Sequence, residues 1–454
     1  MIFKRKIYDE LLEWNKKDVK SSAILIEGAR RIGKTTVVKE FADNNYADNY
    51  IYIDFKIASD SLKEIFNDLS DINDFFEKLF ILSGKSIKKG GLVIFDEVQY
   101  CPKAREAIKY LVLDGRFSYI ETGSLISIKE NTLNIQIPSE ERRIEMYPMD
   151  FEEFLLALGD TYTVQYIRNS FINKKSIDIS IHKEIMKKFR KYLALGGMPK
   201  VLDVFLETNS YIEADLIKKD ILSLYKDDLR KHDNKYQTSC EILFDSIPYQ
   251  LSKESTRFFV SSVSDKRASQ LEKSLFDLAD FKLVNIVYDF EDPSSFFELT
   301  KSQGLFKIYC VDTGLLVTSL LKGSDKDVNK SYERIILDEF DYNFGAIFES
   351  ICCQMLSAKN IKPYYHSFML KEKNENGEIV EKRYEIDFMF QNSFKNYAIE
   401  VKSTKRFTTK SFDALKEKYK QIKFEKYVAS PKTYNLKDNQ LNIPIYMIPF
   451  IMDK

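Results

Sequence analysis

The sequence is poor in the residues that mark several common chemistries. It has three histidines, five cysteines and one tryptophan among 454 residues. The cysteines (Cys101, Cys240, Cys310, Cys352, Cys353) show no C-x-x-C spacing. With so few histidines they speak against a zinc site, and reduced thiols in a cytoplasmic setting are the expectation. No apolar run approaches the ~20 residues of a membrane span, so no membrane partner is expected. Met1-Ile2-Phe3-Lys4-Arg5-Lys6 has basic residues but no apolar stretch behind them, and no signal peptide is expected there. Neither charge sign dominates. Sixty-nine basic residues balance sixty-nine acidic ones, so any nucleic-acid surface must be a local patch. Low-complexity linkers and internal repeats are also missing, although the length suits about two to four domains.

Glycine is scarce too, with fifteen in the chain, which gives weight to a motif that needs it. Gly28-Ala29-Arg30-Arg31-Ile32-Gly33-Lys34-Thr35 reads G-x-x-x-x-G-K-T. A chance match is on the order of one in a hundred. The apolar run Ala23-Ile24-Leu25-Ile26 precedes it, and the helix-compatible Thr36-Val37-Val38-Lys39-Glu40-Phe41 follows. Strand, glycine-rich turn and helix form the context of a phosphate-binding loop. Backbone N–H groups turn inward around phosphates, and the helix N-terminus favours negative charge. We assign nucleotide contact to Gly28, Arg30, Arg31, Ile32, Gly33, Lys34, Thr35, Thr36 and Ser124. Lys34 is expected to reach the β- and γ-phosphates of ATP, and Thr35 to hold Mg²⁺.

Leu92-Val93-Ile94-Phe95-Asp96-Glu97 is an apolar run ending in two carboxylates. It suits a buried parallel strand, whose C-terminal end is where open α/β sheets bind ligands. Asp96 is expected to share Mg²⁺ with Thr35, and Glu97 to orient and polarise the attacking water. Phe117–Ser124 reads as the next strand. Its Thr122 or Ser124 is a candidate γ-phosphate contact, with an ordinary turn as the alternative. Tyr50–Phe55 is a further core strand. Arg105, Arg116, Arg142 and Arg143 are candidate arginine fingers, with salt bridges as the alternative.

These residues resemble the P-loop ATPases of the AAA-like archaeal-type superfamily, near the STAND switch proteins. The resemblance is carried by Phe3–Leu12, Gly-x-Arg-x-x-Gly-Lys-Thr-Thr, Phe-Asp-Glu-Val-Gln (95–99), Thr-Gly-Ser (122–124) and Tyr-Pro-Met-Asp-Phe-Glu-Glu-Phe-Leu (147–155). It spans most of residues 1–200. It implies an ATPase core closed by the 147–155 segment, which leads into a helical lid. Many relatives have Gly-Arg shortly before that segment. This chain has Glu141-Arg142-Arg143 instead.

Residues 155–235 read as helices, broken at Gly196-Gly197-Met198-Pro199. Leu271, Leu275 and Leu278 suit one helix face, and Leu283–Tyr288 suits a strand. With helices expected around 240–262, that order suggests a winged-helix module. Such modules bind DNA or serve as spacers. Phe306–Leu316 resembles the start of the C-terminal domain of unknown function that usually follows this ATPase core.

The C-terminal region carries a second pattern. Glu349 lies on a helix-like stretch, Tyr384–Phe390 reads as a strand, and Tyr397–Lys402 reads as its neighbour. Alternation puts Glu400 and Lys402 on one face, so pairing would bring Asp387, Glu400 and Lys402 together. Asp387 and Glu400 are candidate Mg²⁺ ligands, with Glu349 completing the set. Lys402 would activate water or stabilise a pentavalent phosphate. The pattern resembles the PD-(D/E)xK nuclease fold, especially its Holliday-junction-resolvase-like branch. A half-exposed strand is the alternative, and fold does not imply cleavage. Lys402–Lys437 holds eleven Lys/Arg against three acids, which suits a phosphate backbone or a solvated helix.

The expected fold class is α/β. It comprises a P-loop ATPase core with a parallel sheet (1–160), a helical lid (161–235), a winged-helix-like module (236–325) and a restriction-endonuclease-like α/β domain (326–454). The expected function is Mg²⁺-dependent ATP hydrolysis coupled to movement of a nuclease-like, DNA-binding domain. The alternatives are a non-catalytic switch with a protein partner and an ATP-regulated endonuclease.

Overall fold

Five short strands form the first sheet of the computed structural model. They are β1 (Ala23–Glu27), β2 (Tyr50–Asp54), β3 (Leu92–Asp96), β4 (Ser118–Gly123) and β5 (Glu141–Glu145). All run parallel, in the order β2-β3-β4-β1-β5. Every residue of β1, β3 and β4 is buried, as a sheet covered on both faces requires. One face packs Leu25, Val93, Phe95 and Tyr119 against Phe55, Phe66, Phe75 and Phe76. Phe66 meets Phe95 edge-on at 5.4 Å. The helix Lys34–Tyr46 packs against β3 and β4 and buries Val37, Val38 and Phe41.

The structure describes residues 2–124, 135–233, 239–251, 268–321, 328–339, 344–373, 378–393, 395–437 and 440–452. It divides into a first unit, Met1–Tyr147 with Phe276–Leu283, and a second, Pro148–Leu275 with Val284–Lys454. Among the described residues no helix is long and apolar enough to cross a membrane.

β5 falls on Glu141-Arg142-Arg143-Ile144-Glu145, where composition gives no strand signal. It is an edge strand, hydrogen-bonded on one side only. Its Glu141 receives a two-pronged ion pair from buried Arg105 at 2.7 and 2.9 Å. That bidentate bond offsets the burial of both charges.

The second unit opens with helices Phe151–Ala157, Thr161–Ile172, Ile179–Leu195, Pro199–Thr208 and Tyr211–Asp233. A capping box starts the first. Asp150 accepts from the Glu153 N–H at 2.9 Å, and Glu153 accepts from the Asp150 N–H at 3.1 Å.

An eight-stranded sheet follows, ordered β12-β13-β11-β10-β9-β8-β6-β7. Its strands are β6 (Val284–Phe290), β7 (Lys301–Cys310), β8 (Tyr364–Lys373), β9 (Ile379–Asn392), β10 (Lys395–Val401), β11 (Phe424–Ser430), β12 (Asn435–Lys437) and β13 (Gln440–Pro444). The sequence places the β6–β7 region in a separate winged-helix module ending at 325. The structure instead hydrogen-bonds this hairpin into the C-terminal sheet through one pair, Asp289 to Tyr365. The physical reason lies in β7. Phe306 to Cys310 are all buried, so the hairpin needs cover on both faces. Part of the expected 240–262 helical region, 252–262, lies outside the described residues.

Two segments that read separately in sequence fit together here. Gly196 (φ +82°) ends one helix, and a Cβ there would lie 2.3 Å from the Asp312 carboxylate. Asp312 accepts from the Gly197 N–H at 2.6 Å and caps the helix Thr313–Leu320 through the Leu315 N–H at 3.0 Å. Gly197 is also tight, since a methyl group there would lie 2.2 Å from the Met149 carbonyl oxygen. Gly197→Ala should therefore destabilise the chain by about 1–3 kcal/mol through overpacking. Urea unfolding measures this, and an unchanged midpoint would contradict the packing.

Candidate functional site

The strand order assembles the nucleotide site. β4 lies between β1, which carries the glycine loop, and β3, which carries Asp96 and Glu97. The tip of β4 therefore stands between loop and acids. Gly28 can only be glycine, since a Cβ would lie 2.3 Å from the Met146 carbonyl oxygen and 2.5 Å from Ile32 Cδ1. Arg31 and Gly33 both have positive φ, at +68° and +97°. Gly33 caps the helix that begins at Lys34.

Lys34 is buried, and its Nζ donates to the carbonyls of Gly28 and Ala29 at 2.9 and 2.8 Å. Burial pulls its ammonium down to about 8, although Glu97 and Asp96 favour the charged form. Thr35 Oγ1 donates to Asp96 Oδ2 at 2.9 Å. A hydroxyl and a carboxylate oxygen thus converge, a donor pair that fits Mg²⁺. Thr36 is exposed on the first helical turn, and Ile32 is fully buried. Arg30 lies near enough to disfavour the Lys34 charge.

Asp96 also accepts from Thr122 Oγ1 and from the Tyr52 hydroxyl. Burial and then Asp96 push the Tyr52 hydroxyl pKa well up, so it remains a donor. Glu97 has left-handed backbone (φ +54°), an arrangement that costs free energy and is often found at functional sites. Its carboxylate accepts from Gln99 Nε2, which lies 3.4 Å from Ser124 Oγ. Three contributors lie in segments read from the sequence but receive no role there. Tyr52 and Gln99 orient the two acids. Arg5, also buried, donates to the Ile32 carbonyl at 2.7 Å and the Tyr147 carbonyl at 2.6 Å.

The arginine-finger candidates are held elsewhere. Arg105 and Arg143 pair with Glu141, Arg142 with Asp18, and Arg116 with Asp114.

The C-terminal pattern is also brought together. β9 and β10 pair antiparallel with Ile399 opposite Phe388, which sets Asp387 beside Glu400. Asp387 Oδ2 accepts from the Val401 N–H at 2.7 Å. Lys402 pairs with Glu400, whose other oxygen accepts from Ser411 at 2.6 Å. Ser411 begins the basic helix Lys410–Lys418, so that helix adjoins the cluster. Glu349, on the helix Phe344–Ser357, accepts from Tyr309 at 2.7 Å. Burial, then Glu400 and Glu349, push the Asp387 carboxyl well above the usual range. Burial opposes the Lys402 charge, but Asp387 and Glu400 hold its pKa above the ordinary value.

The expected metal set of Glu349, Asp387 and Glu400 is not what the structure shows. Among the described residues no group of three or more His, Cys, Asp or Glu is placed to hold a metal ion. Lys307 of β7 stands among the carboxylates, 2.7 Å from Glu385 and 3.5 Å from Glu349. Its signal in the sequence is a lysine inside the apolar run Phe306–Cys310.

Three family models match the chain. Residues 20–155 match an AAA domain, 186–327 a domain of unknown function (DUF8612), and 344–448 another domain of unknown function (DUF4143). The first match supports an AAA-type P-loop ATPase, in agreement with the geometry. An uncharacterized protein of Methanocaldococcus jannaschii is 22% identical over 384 residues, covering 80% of this chain and 71% of that protein. Among solved structures, Aeropyrum pernix ORC1 in complex with DNA aligns at TM-score 0.29 and 11% identity, covering 71% of this chain and 94% of that one. Drosophila ORC bound to DNA aligns at 0.26 and 12%, covering 69% and 93%. At such scores we carry over neither fold nor ligand.

The buried Lys34 gives a pH dependence. Its folded-state pKa, about 8, lies below the ordinary 10.5. Between these values the unfolded chain binds more protons, so the free protein gains stability as pH rises. Phosphate requires the ammonium, so nucleotide affinity moves the other way. Above pH 8 binding should take up a proton and weaken by about tenfold per pH unit. Calorimetry at pH 9 in two buffers of different ionisation enthalpy measures the uptake. Lys34→Arg, charged throughout, should abolish it, and uptake persisting there would assign it elsewhere.

Proposed function

We propose that the chain is a Mg²⁺-dependent ATPase whose nucleotide state repositions a C-terminal nuclease-like, DNA-binding domain. One observation carries the coupling. Arg5 joins the Ile32 carbonyl of the phosphate loop to the Tyr147 carbonyl, and Tyr147 is the last residue before the second unit. The Met146 carbonyl also lies against Gly28. A loop that closes on phosphate pulls on the backbone that leads into the helical lid.

In this reading Lys34 leaves the Gly28 and Ala29 carbonyls for the β- and γ-phosphates. Arg30, Arg31, Ile32, Gly33 and Thr36 contribute the cradle around them. Thr35 and Asp96 would hold Mg²⁺, which supplies charge neutralisation at the phosphate oxygens. Glu97, oriented by Gln99, takes the attacking water, and Thr122 and Ser124 face the γ-phosphate. The finer assignments belong to the same proposal. They are the helical lid, a restriction-endonuclease-like C-terminal domain that takes in the β6–β7 hairpin, and a cytoplasmic site of action. DNA backbone would lie along the exposed Lys405, Arg406, Lys410, Lys416 and Lys420. The second reading is a non-cleaving switch, with a protein partner as its alternative target. The pairing of Glu400 with Lys402 and of Glu385 with Lys307 favours it over an endonuclease in which Asp387, Glu400 and Lys402 are catalytic.

Steady-state phosphate release from ATP, with and without duplex and branched DNA, tests the coupling. Lys34→Ala should abolish turnover and its DNA stimulation. Glu97→Gln should keep nucleotide binding and lose about 10²–10⁴-fold in rate. Turnover unaffected by Lys34→Ala would refute the site. Turnover indifferent to DNA would shift the target to a protein. Replacing Lys405, Arg406 and Lys410 by Glu should separately reduce DNA affinity and flatten its salt dependence.

A further inference from the structure

Lys307, fully buried among the C-terminal carboxylates, has no role in the nucleotide site. It sits in the middle of β7, opposite Val287 of β6. The hairpin joins the sheet through the single pair Asp289 to Tyr365. Residues of β7 meet β9, with the Tyr309 ring 5.6 Å from Phe388 and the Lys307 ammonium 2.7 Å from Glu385. Its Nζ also lies 5.2 Å from the Tyr365 ring centre.

We propose that the Lys307 ammonium is the resident cation of the C-terminal cluster, standing where a nuclease-like pattern would place a divalent metal, so that this site engages DNA without a metal and without cleaving it. The inference rests on the nuclease-like reading of the cluster. Each carboxylate already has a partner. Glu349 takes the Tyr309 hydroxyl and faces Lys307 at 3.5 Å. Glu385 pairs with Lys307, Asp387 takes the Val401 N–H, and Glu400 takes Lys402 and Ser411. A hard divalent cation needs several of these oxygens at once. It would also meet a fixed like charge in a low-dielectric interior. Lys307 cannot withdraw, because its strand is held in a ladder and solvent does not reach its side chain. Burial disfavours its charge, yet Glu349, Glu385 and Asp387 together hold its pKa above the ordinary value.

A lysine that merely braces the hairpin would show the same contacts, so the test must read metal binding. The full chain carrying Asp96→Asn, free of nucleotide, is titrated with Mn²⁺ and followed by electron paramagnetic resonance. Asp96→Asn removes the metal ligand of the first site. We expect no Asp387-dependent Mn²⁺ binding while Lys307 is present. Adding Lys307→Gln or Lys307→Met should create one site, at least about tenfold tighter and lost again with Asp387→Asn. Thermal melting establishes that the variants fold. Mn²⁺ binding that requires Asp387 in the Lys307 chain overturns the proposal, as does Mn²⁺-dependent DNA nicking abolished by Asp387→Asn. Folded Lys307 variants that bind no Mn²⁺ overturn it equally. If neither variant folds, the chain retaining Lys307 still decides: Asp387-dependent Mn²⁺ binding overturns the proposal and its absence supports it. None of these readouts passes through ATP turnover, so their failure is distinct from failure of the ATPase reading.

Discussion

Burying an ammonium group is costly, and both candidate sites are organised by how that cost is met. Lys34 and Lys307 are each taken out of solvent. Around Lys34 the close partners are backbone carbonyls, and desolvation dominates, drawing the pKa down. Around Lys307 three carboxylates outweigh desolvation and the pKa rises. Lys218 is a third case. Its ammonium reaches the Ala194 carbonyl and the Tyr332 hydroxyl, with Asp215 4.0 Å away, and burial pulls it to about 8. The sign of the shift follows from the neighbours and not from depth alone. A lysine poorly compensated in the free protein gains most when an anion arrives, and Lys34 is placed to receive one.

The remaining geometry of the nucleotide site follows from strand order and backbone freedom. With β4 between β1 and β3, Thr122 can reach Asp96, and the Glu97 N–H can reach Thr122. Asp96 is fixed from three directions, by Thr35, Tyr52 and Thr122. Such a carboxylate needs little rearrangement to bind a cation, since its orientation is already set. Positive φ at the non-glycine residues Arg31 and Glu97 places backbone strain in the phosphate loop and just after β3. Strain there is sustained by the surrounding sheet, whose central strands are buried along their whole length.

How much of this was legible in the sequence depends on the range of the interaction. The glycine loop, the apolar strand before it and Asp96-Glu97 are contiguous patterns, and each lies where the pattern put it. Asp387, Glu400 and Lys402 were also readable, because strand alternation fixes faces within a few residues. β5 was not readable. An edge strand needs little apolar character, and the Arg105–Glu141 pair that settles it joins residues 36 apart. The role of the hairpin β6–β7 was hidden for a related reason. Leu283–Tyr288 reads as the strand of a winged-helix order, and only its pairing with β8 shows the sheet it extends. Asp312 and Gly197 are 115 residues apart. Gly197 reads only as a helix break, although its hydrogen bond to Asp312 joins the end of the helix Ile179–Leu195 to the start of the helix Thr313–Leu320. Tyr52, Gln99 and Arg5 share this character. Arg5 and Gln99 lie in segments that carry the resemblance, but their hydrogen-bond partners cannot be read from those segments.

The placement of the two site lysines bears on what each can do. Lys34 begins a helix, on a loop whose glycines allow the backbone to adjust, and its partners are carbonyls that phosphate oxygens can replace. Its interactions are therefore exchangeable. Lys307 projects from the centre of a strand, and its partners are the carboxylates Glu385 and Glu349, the second of which also accepts from Tyr309. Exchanging it would require a fully buried ammonium to leave its ion pairs, and uncompensated buried charge is costly. One lysine is thus suited to a cycle of ligand gain and loss, and the other to permanence. In the proposed function the cycle belongs to the nucleotide loop, which Arg5 joins to the Tyr147 carbonyl at the end of the first unit.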